Sequence, residues 1–178
     1  YYGGMFVPQS FLCLKSLKDM MYEGTRNNLP FICEKSNNTL NGGDFIAGLD
    51  IVGSPKNNPH MQTIIRANEL LISQDYTSAS TVVGKNEQLF SKMIGESKLN
   101  VIDSKHLGVK DIDEKPILLE DLFSRDYIKF DNLLYGILIP HEQLLKRTAY
   151  NWFCKLSEIE VLQCDTILCK YFLMSNEY

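Results

Sequence analysis

No two cysteines in this sequence are spaced C-x-x-C. The five that occur, Cys13, Cys33, Cys154, Cys164 and Cys169, are odd in number and scattered, with C-x4-C at 164 and 169 as the nearest pair. Such a pattern argues against a disulfide scaffold or a zinc site and for free, buried or half-buried thiols in a reducing compartment. Long apolar runs are also lacking, and none approaches the roughly 20 residues of a spanning helix. There is no basic surplus: Lys and Arg number 18 against 22 Asp and Glu, for a net charge of −4. That balance excludes the broad positive field of a protein that grips nucleic-acid backbone. A nucleotide end held by stacking remains open, because stacking needs a pocket and not a large cationic face.

Chemical signatures are scarce as well. The glycines of "GGDFIAGLDIVGSP" (42–55) match neither the Walker loop nor the dinucleotide fingerprint, whose glycines must be followed by Lys-Ser/Thr or spaced G-x-G-x-x-G. They read as turn residues and points of close backbone approach. The three histidines, His60, His106 and His141, form no H-E-x-x-H. His60 and His141 each follow a proline at an expected helix start, where the helix dipole disfavours a cationic imidazole. The acidic residues allow one metal-dependent, nuclease-like reading, with Glu34, Asp44 and Asp50 converging from adjacent strands. The competing reading makes Asp50 a charge on the solvated face of a sheet.

What is present is enough apolar material for a core: 44% hydrophobic and 22% charged residues, ordinary for a globular chain of 178 residues. Without a linker or repeat, one domain over 1–178 is expected. The opening "YYGGMFVP" lacks an initiator Met and a cationic leader, which suggests a piece of a larger protein. Phe11, Leu14, Leu17 and Met21 suggest a helix over 9–23, stopped by Gly24. Strands are expected at 30–34 and 44–52, the latter with Phe45, Ala47, Leu49 and Ile51 on one side. The stretch 35–43 reads as a polar loop. Asn58 and Pro59 start a helix carrying Met61, Ile64, Ile65, Leu71 and Ile72. Thr and Val content suggests a strand at 76–84, then a helix at 85–96 and a strand at 99–103. Residues 104–115 read as an exposed charged loop. A short helix follows Pro116, a long one is expected over 140–156, and "IEVLQ" and "TILCKYFLM" read as closing strands. The interleaving predicts an α+β fold: a mixed, largely antiparallel sheet covered on one face by helices.

The stretch "DYIKFDNLLYGILIP" (126–140) reads as a hairpin turning at Asp131-Asn132. It gathers Tyr127, Phe130 and Tyr135. On a regular strand Tyr127 and Phe130 point to opposite sides, so a ring sandwich needs a bulge, or a partner such as Tyr76, Phe45 or Tyr171. The plain alternative is that these rings are core. A methylated guanine is flat and cationic. It can stack between aromatic rings while a carboxylate takes its N1 and N2 hydrogens. Phe130 and Tyr135 are the candidate stacking residues, and Asp131 the candidate base-reading acid.

The excised start, the mixed strand–helix order, and "YIKFDNLLYG" followed by "PHEQLLKRTAYNWFCKL" resemble the C-terminal region of the large polymerase proteins of segmented negative-strand RNA viruses, the arenavirus and bunyavirus group. That resemblance implies a small mixed sheet packed on a helix. It implies a non-catalytic cap-binding-like module, or a degenerate relative of one, that serves cap-snatching. Its partners would be capped RNA or a methylated guanine nucleotide and the other domains of an RNA-directed RNA polymerase, in the host-cell cytoplasm, with no cofactor and no membrane. Two alternatives stand beside it. One is a protein–protein interaction domain with an exposed apolar patch around Met20, Met21 and Tyr22; the other is the metal-dependent enzyme.

Overall fold

The computed structural model describes residues 2–36, 45–74 and 78–175. The polar loop at 35–43 thus lies mostly outside the described residues, as do Asp44 and Tyr76. The fold is α+β, with a mixed four-stranded sheet and a small antiparallel two-stranded one. Where one domain was expected, the chain divides into two compact units. Unit 1 comprises 1–8 and 18–103, and unit 2 comprises 9–17 and 104–178. Each unit is built from separated stretches of chain, so no linker composition marks the division.

Unit 1 holds β1 (Gly4–Phe6), β3 (Phe31–Ser36), β4 (Phe45–Ser54) and β5 (Asn100–Ile102), in the order β1-β4-β3-β5. The β3–β5 pair is parallel and the other two are antiparallel. Helices α2 (Pro59–Ser73) and α3 (Ala79–Gly95) cover one face: Ile64, Phe90 and Met93 pack with Ile32 and Leu99 against Ala47, Leu49 and Val52. Alternation along β4 is broken. Ile32 pairs with Val52 but Cys33 pairs with Gly48, so Leu49, Asp50 and Ile51 bulge out of register. The bulge returns Val52 to the helix face and leaves Ile51 off it, which corrects the expected Ala47–Leu49–Ile51 row.

Cys33 fills the hole this bulge makes in the ladder. Its sulfur accepts the Ile51 amide at 3.3 Å, and its thiol points at the Gly48 carbonyl at 3.8 Å. Burial pushes the thiol up from 9.0 to about 11, and the Asp50 charge adds to the rise against the Ile51 amide. The unfolded chain therefore gives up this proton first. The contribution of this group to stability falls as pH rises from 9 towards 11. Because the thiolate is the nucleophile, alkylation of the native protein at pH 8 is expected to label exposed Cys13 and Cys154 and leave Cys33 unmodified. Labelling of Cys33 as fast as Cys13, read by peptide mass mapping, would contradict this role.

The start of α2 follows the sequence reading. Asn58 Oδ1 accepts from the His60 and Met61 amides at 2.9 and 3.1 Å, while its Nδ2 donates to the Asn28 carbonyl at 2.7 Å. Of the segment expected as a strand at 76–84, residues 79–84 are instead the start of helix α3, and residues 76–77 lie outside the described residues. At the N-terminal side, α1 (Leu17–Gly24) is shorter than expected and Phe11 lies on a strand. Met20 is 0% exposed, which removes it from the expected surface patch; Tyr22 alone of that trio is strongly exposed.

Unit 2 pairs β2 (Phe11–Cys13) with β6 (Gly136–Leu138). Its core joins Leu122 of α4 (Leu119–Leu122), Leu134, Ile137 and Leu168 of α7 (Ile167–Ser175). The two expected closing strands are helices, α6 (Glu158–Gln163) and α7. Ser157 and Glu160 cap α6 reciprocally: the Ser157 amide donates to the Glu160 carboxylate at 2.8 Å, which holds that carboxyl below its usual range. The helix expected over 140–156 ends early, as α5 (His141–Lys146). Arg147 leaves helical geometry with φ −91 and ψ 113, its guanidinium paired with Glu120 and lying 5.1 Å from the Tyr150 ring centroid. The 104–115 stretch is not wholly exposed, since Ser104, Leu107 and Lys110 are buried.

Candidate recognition site

The expected hairpin does not form. Of residues 126–140 only Gly136–Leu138 is a strand, and its partner is β2, more than a hundred residues earlier. The turn at Asp131 is present. Asp131 Oδ1 accepts the Leu133 amide at 2.7 Å and its carbonyl accepts the Leu134 amide at 3.1 Å. Before the turn the chain is kinked, the Phe130 amide donating to the Ile128 carbonyl at 3.1 Å. Strand alternation therefore no longer separates Tyr127 from Phe130.

Neighbouring segments fix this loop. The Ile112 amide donates to the Lys129 carbonyl at 3.0 Å, and the Tyr135 amide to the His106 carbonyl at 2.8 Å. The Tyr135 carbonyl accepts from Leu14 and Lys15 at 2.8 and 3.1 Å, and Lys15 Nζ donates to the Asn132 carbonyl. All of these groups belong to unit 2.

The three candidate residues receive different surroundings. Phe130 is half-buried and meets Tyr171 of α7 edge-on, with centroids 5.1 Å apart and planes at 78°. Tyr135 is 8% exposed and meets His106 edge-on at 6.2 Å. It therefore belongs to the wall of the loop rather than to its surface. Asp131 is close to the same histidine: His106 Nδ1 lies 3.5 Å from Asp131 Oδ1, and that nitrogen is buried without a hydrogen-bond partner. Phe130 and Tyr135 thus pack on separate rings, and they do not face each other as a pair. The ring that reaches solvent is Tyr127, 83% exposed. Burial, with a smaller electrostatic contribution from Tyr127, raises the Tyr171 phenol above its ordinary value. The sequence reading named Tyr127 as a member of the cluster and Tyr171 among the candidate partner rings, and Tyr171 is the ring that meets Phe130. Their roles rest on the conversion of "TILCKYFLM" to a helix, which no local strand reading supplies.

Of the residues of the metal-dependent reading, Glu34 is on β3 opposite Ala47 and Asp50 is in the β4 bulge, while Asp44 is outside the described residues. Among the described residues no group of three or more His, Cys, Asp or Glu could hold a metal ion. Likewise, among them no helix is long and apolar enough to cross a membrane. No known protein family matches the chain, and no curated protein or solved structure is similar to it.

Proposed function

We propose that the chain is a non-catalytic recognition module that stacks a flat, cationic base, the methylated guanine of a capped RNA 5′ end, in the manner of the cap-binding-like domains of viral RNA polymerases. The observation that carries this reading is a carboxylate held by its own turn, Asp131, directly after a half-buried ring, Phe130, in the segment that also carries the exposed ring of Tyr127. Both described partners of Asp131 address Oδ1, which leaves Oδ2 for the base edge. In this reading Tyr127 and Phe130 supply the stacking faces, Tyr171 backs Phe130, and Tyr135 is a support that ties the loop to His106. A net charge of −4 suits a site that reads one cationic base rather than a phosphate backbone. The module would act in the host-cell cytoplasm as part of a larger polymerase.

Calorimetric titration with 7-methyl-GTP and with GTP tests the proposal. The methylated nucleotide is expected to bind at least tenfold tighter, about 1.4 kcal/mol. Asp131→Asn keeps an acceptor for the Leu133 amide but removes the charge, and should abolish most of that preference. Equal affinities for the two nucleotides, or a preference that survives Asp131→Asn, would count against the reading.

A second reading, a protein–protein interaction domain, is favoured by a different surface of unit 2. There Phe123, Tyr150, Trp152 and Phe153 interlock with centroids 5.0 to 6.0 Å apart, Trp152 remains 40% exposed, and Arg147 lies over the Tyr150 ring. Trp, Tyr and Arg are the residue types that dominate binding hot spots. Loss of partner capture with Trp152→Ala, but not with Tyr127→Ala, would favour this surface.

A further inference from the structure

His106 ties the 3₁₀ turn Ser104–Leu107 to the candidate loop in three ways. Its carbonyl accepts the Tyr135 amide at 2.8 Å, its ring meets the Tyr135 ring edge-on, and its Nδ1 faces Asp131 Oδ1 at 3.5 Å. Ser104 and Leu107 are fully buried and Tyr135 nearly so, which anchors the imidazole from both of its neighbouring segments. Both facing side chains are sheltered, His106 at 20% and Asp131 at 17% exposure. Nδ1 itself is buried and makes no hydrogen bond at this separation. A polar atom buried without a partner is costly.

The state of Nδ1 decides whether the contact attracts or repels. As a lone pair it sets acceptor against acceptor, a carboxylate oxygen, in a place that water does not reach. As an N–H it is a donor to a charged acceptor, and such pairs settle at about 2.7–2.9 Å. A side-chain movement of less than about 1 Å then closes the gap. In a neutral imidazole only one nitrogen carries the proton, and the hydrogen bond on offer selects which.

We propose that neutral His106 is the Nδ1–H tautomer, that it donates to Asp131 Oδ1, and that this makes His106 the positioning residue of the candidate site. Oδ1 then accepts two bonds, from His106 Nδ1 and from the Leu133 amide at 2.7 Å, one for each of its lone pairs. Its capacity is filled, and the carboxyl group cannot rotate without breaking both bonds. Oδ2 is the acceptor left for a ligand. The consequence at the base edge rests on the cap-binding reading; the tautomer and the bond do not.

The test begins on the unmutated whole chain without nucleotide. Two-bond proton–nitrogen correlation of the nitrogen-labelled protein reads the tautomer of each imidazole, with pH raised until the ring signals stop moving. His106 is expected to show a protonated Nδ1 and a bare Nε2. The reverse, a bare Nδ1 and a protonated Nε2, would overturn the proposal whatever the nucleotide does. The second arm is the calorimetric preference for 7-methyl-GTP over GTP. His106→Asn places an amide nitrogen where Nδ1 stands and should retain the preference of at least about tenfold. His106→Gln places it near the Nε2 position instead and should lose most of that preference, as Asp131→Asn does. A merely structural histidine would not separate the two amides, so the same preference in both variants would overturn the positioning role. An Nδ1–H tautomer in a chain that does not distinguish the two nucleotides would sink the cap-binding reading and uphold the bond.

Discussion

Gly53→Ala is expected to destabilise unit 1 by about 3 kcal/mol, the upper end of what one forced methyl costs in a tight core. Gly53 is the cross-strand neighbour of Phe31, and the Phe31 ring lies across it, fully buried. A Cβ at Gly53 would sit 2.2 Å from ring carbon Cε1 and 2.4 Å from Cζ. A Cβ at Gly24 would likewise meet Cδ1 at 2.4 Å. The ring is therefore held in a slot that Gly53 and Gly24 leave open. Because the obstruction is a side chain, a smaller one should relieve it. Phe31→Leu costs stability alone, but combined with Gly53→Ala the loss should be less than the sum of the two, by 1 kcal/mol or more. Urea denaturation of the four proteins of the cycle measures this. Strict additivity would contradict the slot.

Gly136→Ala is expected to cost as much or more, and here no side-chain substitution should restore it. Gly136 begins β6 opposite Cys13, and a Cβ there would lie 2.3 Å from the Leu12 carbonyl oxygen and 2.5 Å from Phe11 Cζ. Shrinking Phe11 removes the second clash and leaves the first, which is with backbone. The strand pair must part, and parting it breaks the only ladder described in unit 2. The loss should be about 3 kcal/mol or more in urea, with Phe11→Leu adding to the damage rather than repairing it. Recovery of stability in the double variant would show that β2 and β6 are not as close as described here.

Both glycines illustrate what could be read in the sequence and what could not. That a glycine marks close approach of backbone follows from its lacking a Cβ; which ring or carbonyl approaches does not, because Phe31 and Leu12 are distant in the chain. The same division runs through the fold. Asn58-Pro59 was legible because a cap is a contact within three residues. The strands at 31–36 and 45–54 were legible by β-branched and alternating content, although the bulge at Cys33 was not. The segment 166–174 misled because Thr, Ile, Tyr and Phe favour strands, yet Leu168, Tyr171 and Phe172 recur at helical spacing and bury against Leu122, Phe130 and Phe153. Tertiary packing overrode a weak local preference. At α6 the cue was present and unused: Ser157 and Glu160 are spaced as a capping box.

At the candidate site the turn at Asp131 was legible, since an Asp side chain caps its own turn. The hairpin was not formed, because Gly136–Leu138 finds its partner at Phe11–Cys13 and Tyr135 turns inward to His106. The surface ring, Tyr127, and the backing ring, Tyr171, depend on that long-range pairing and on α7 being a helix.

The most direct measurement of the central claim is an aromatic NMR titration. With Phe and Tyr ring carbons labelled, addition of 7-methyl-GTP should move the Tyr127 and Phe130 ring signals upfield and, more weakly, Tyr171. Tyr22, exposed but in unit 1, should stay still. Saturable shifts confined to Tyr127, Phe130 and Tyr171 are the result the account predicts. Rings that do not move at millimolar nucleotide, or shifts centred elsewhere, would contradict it.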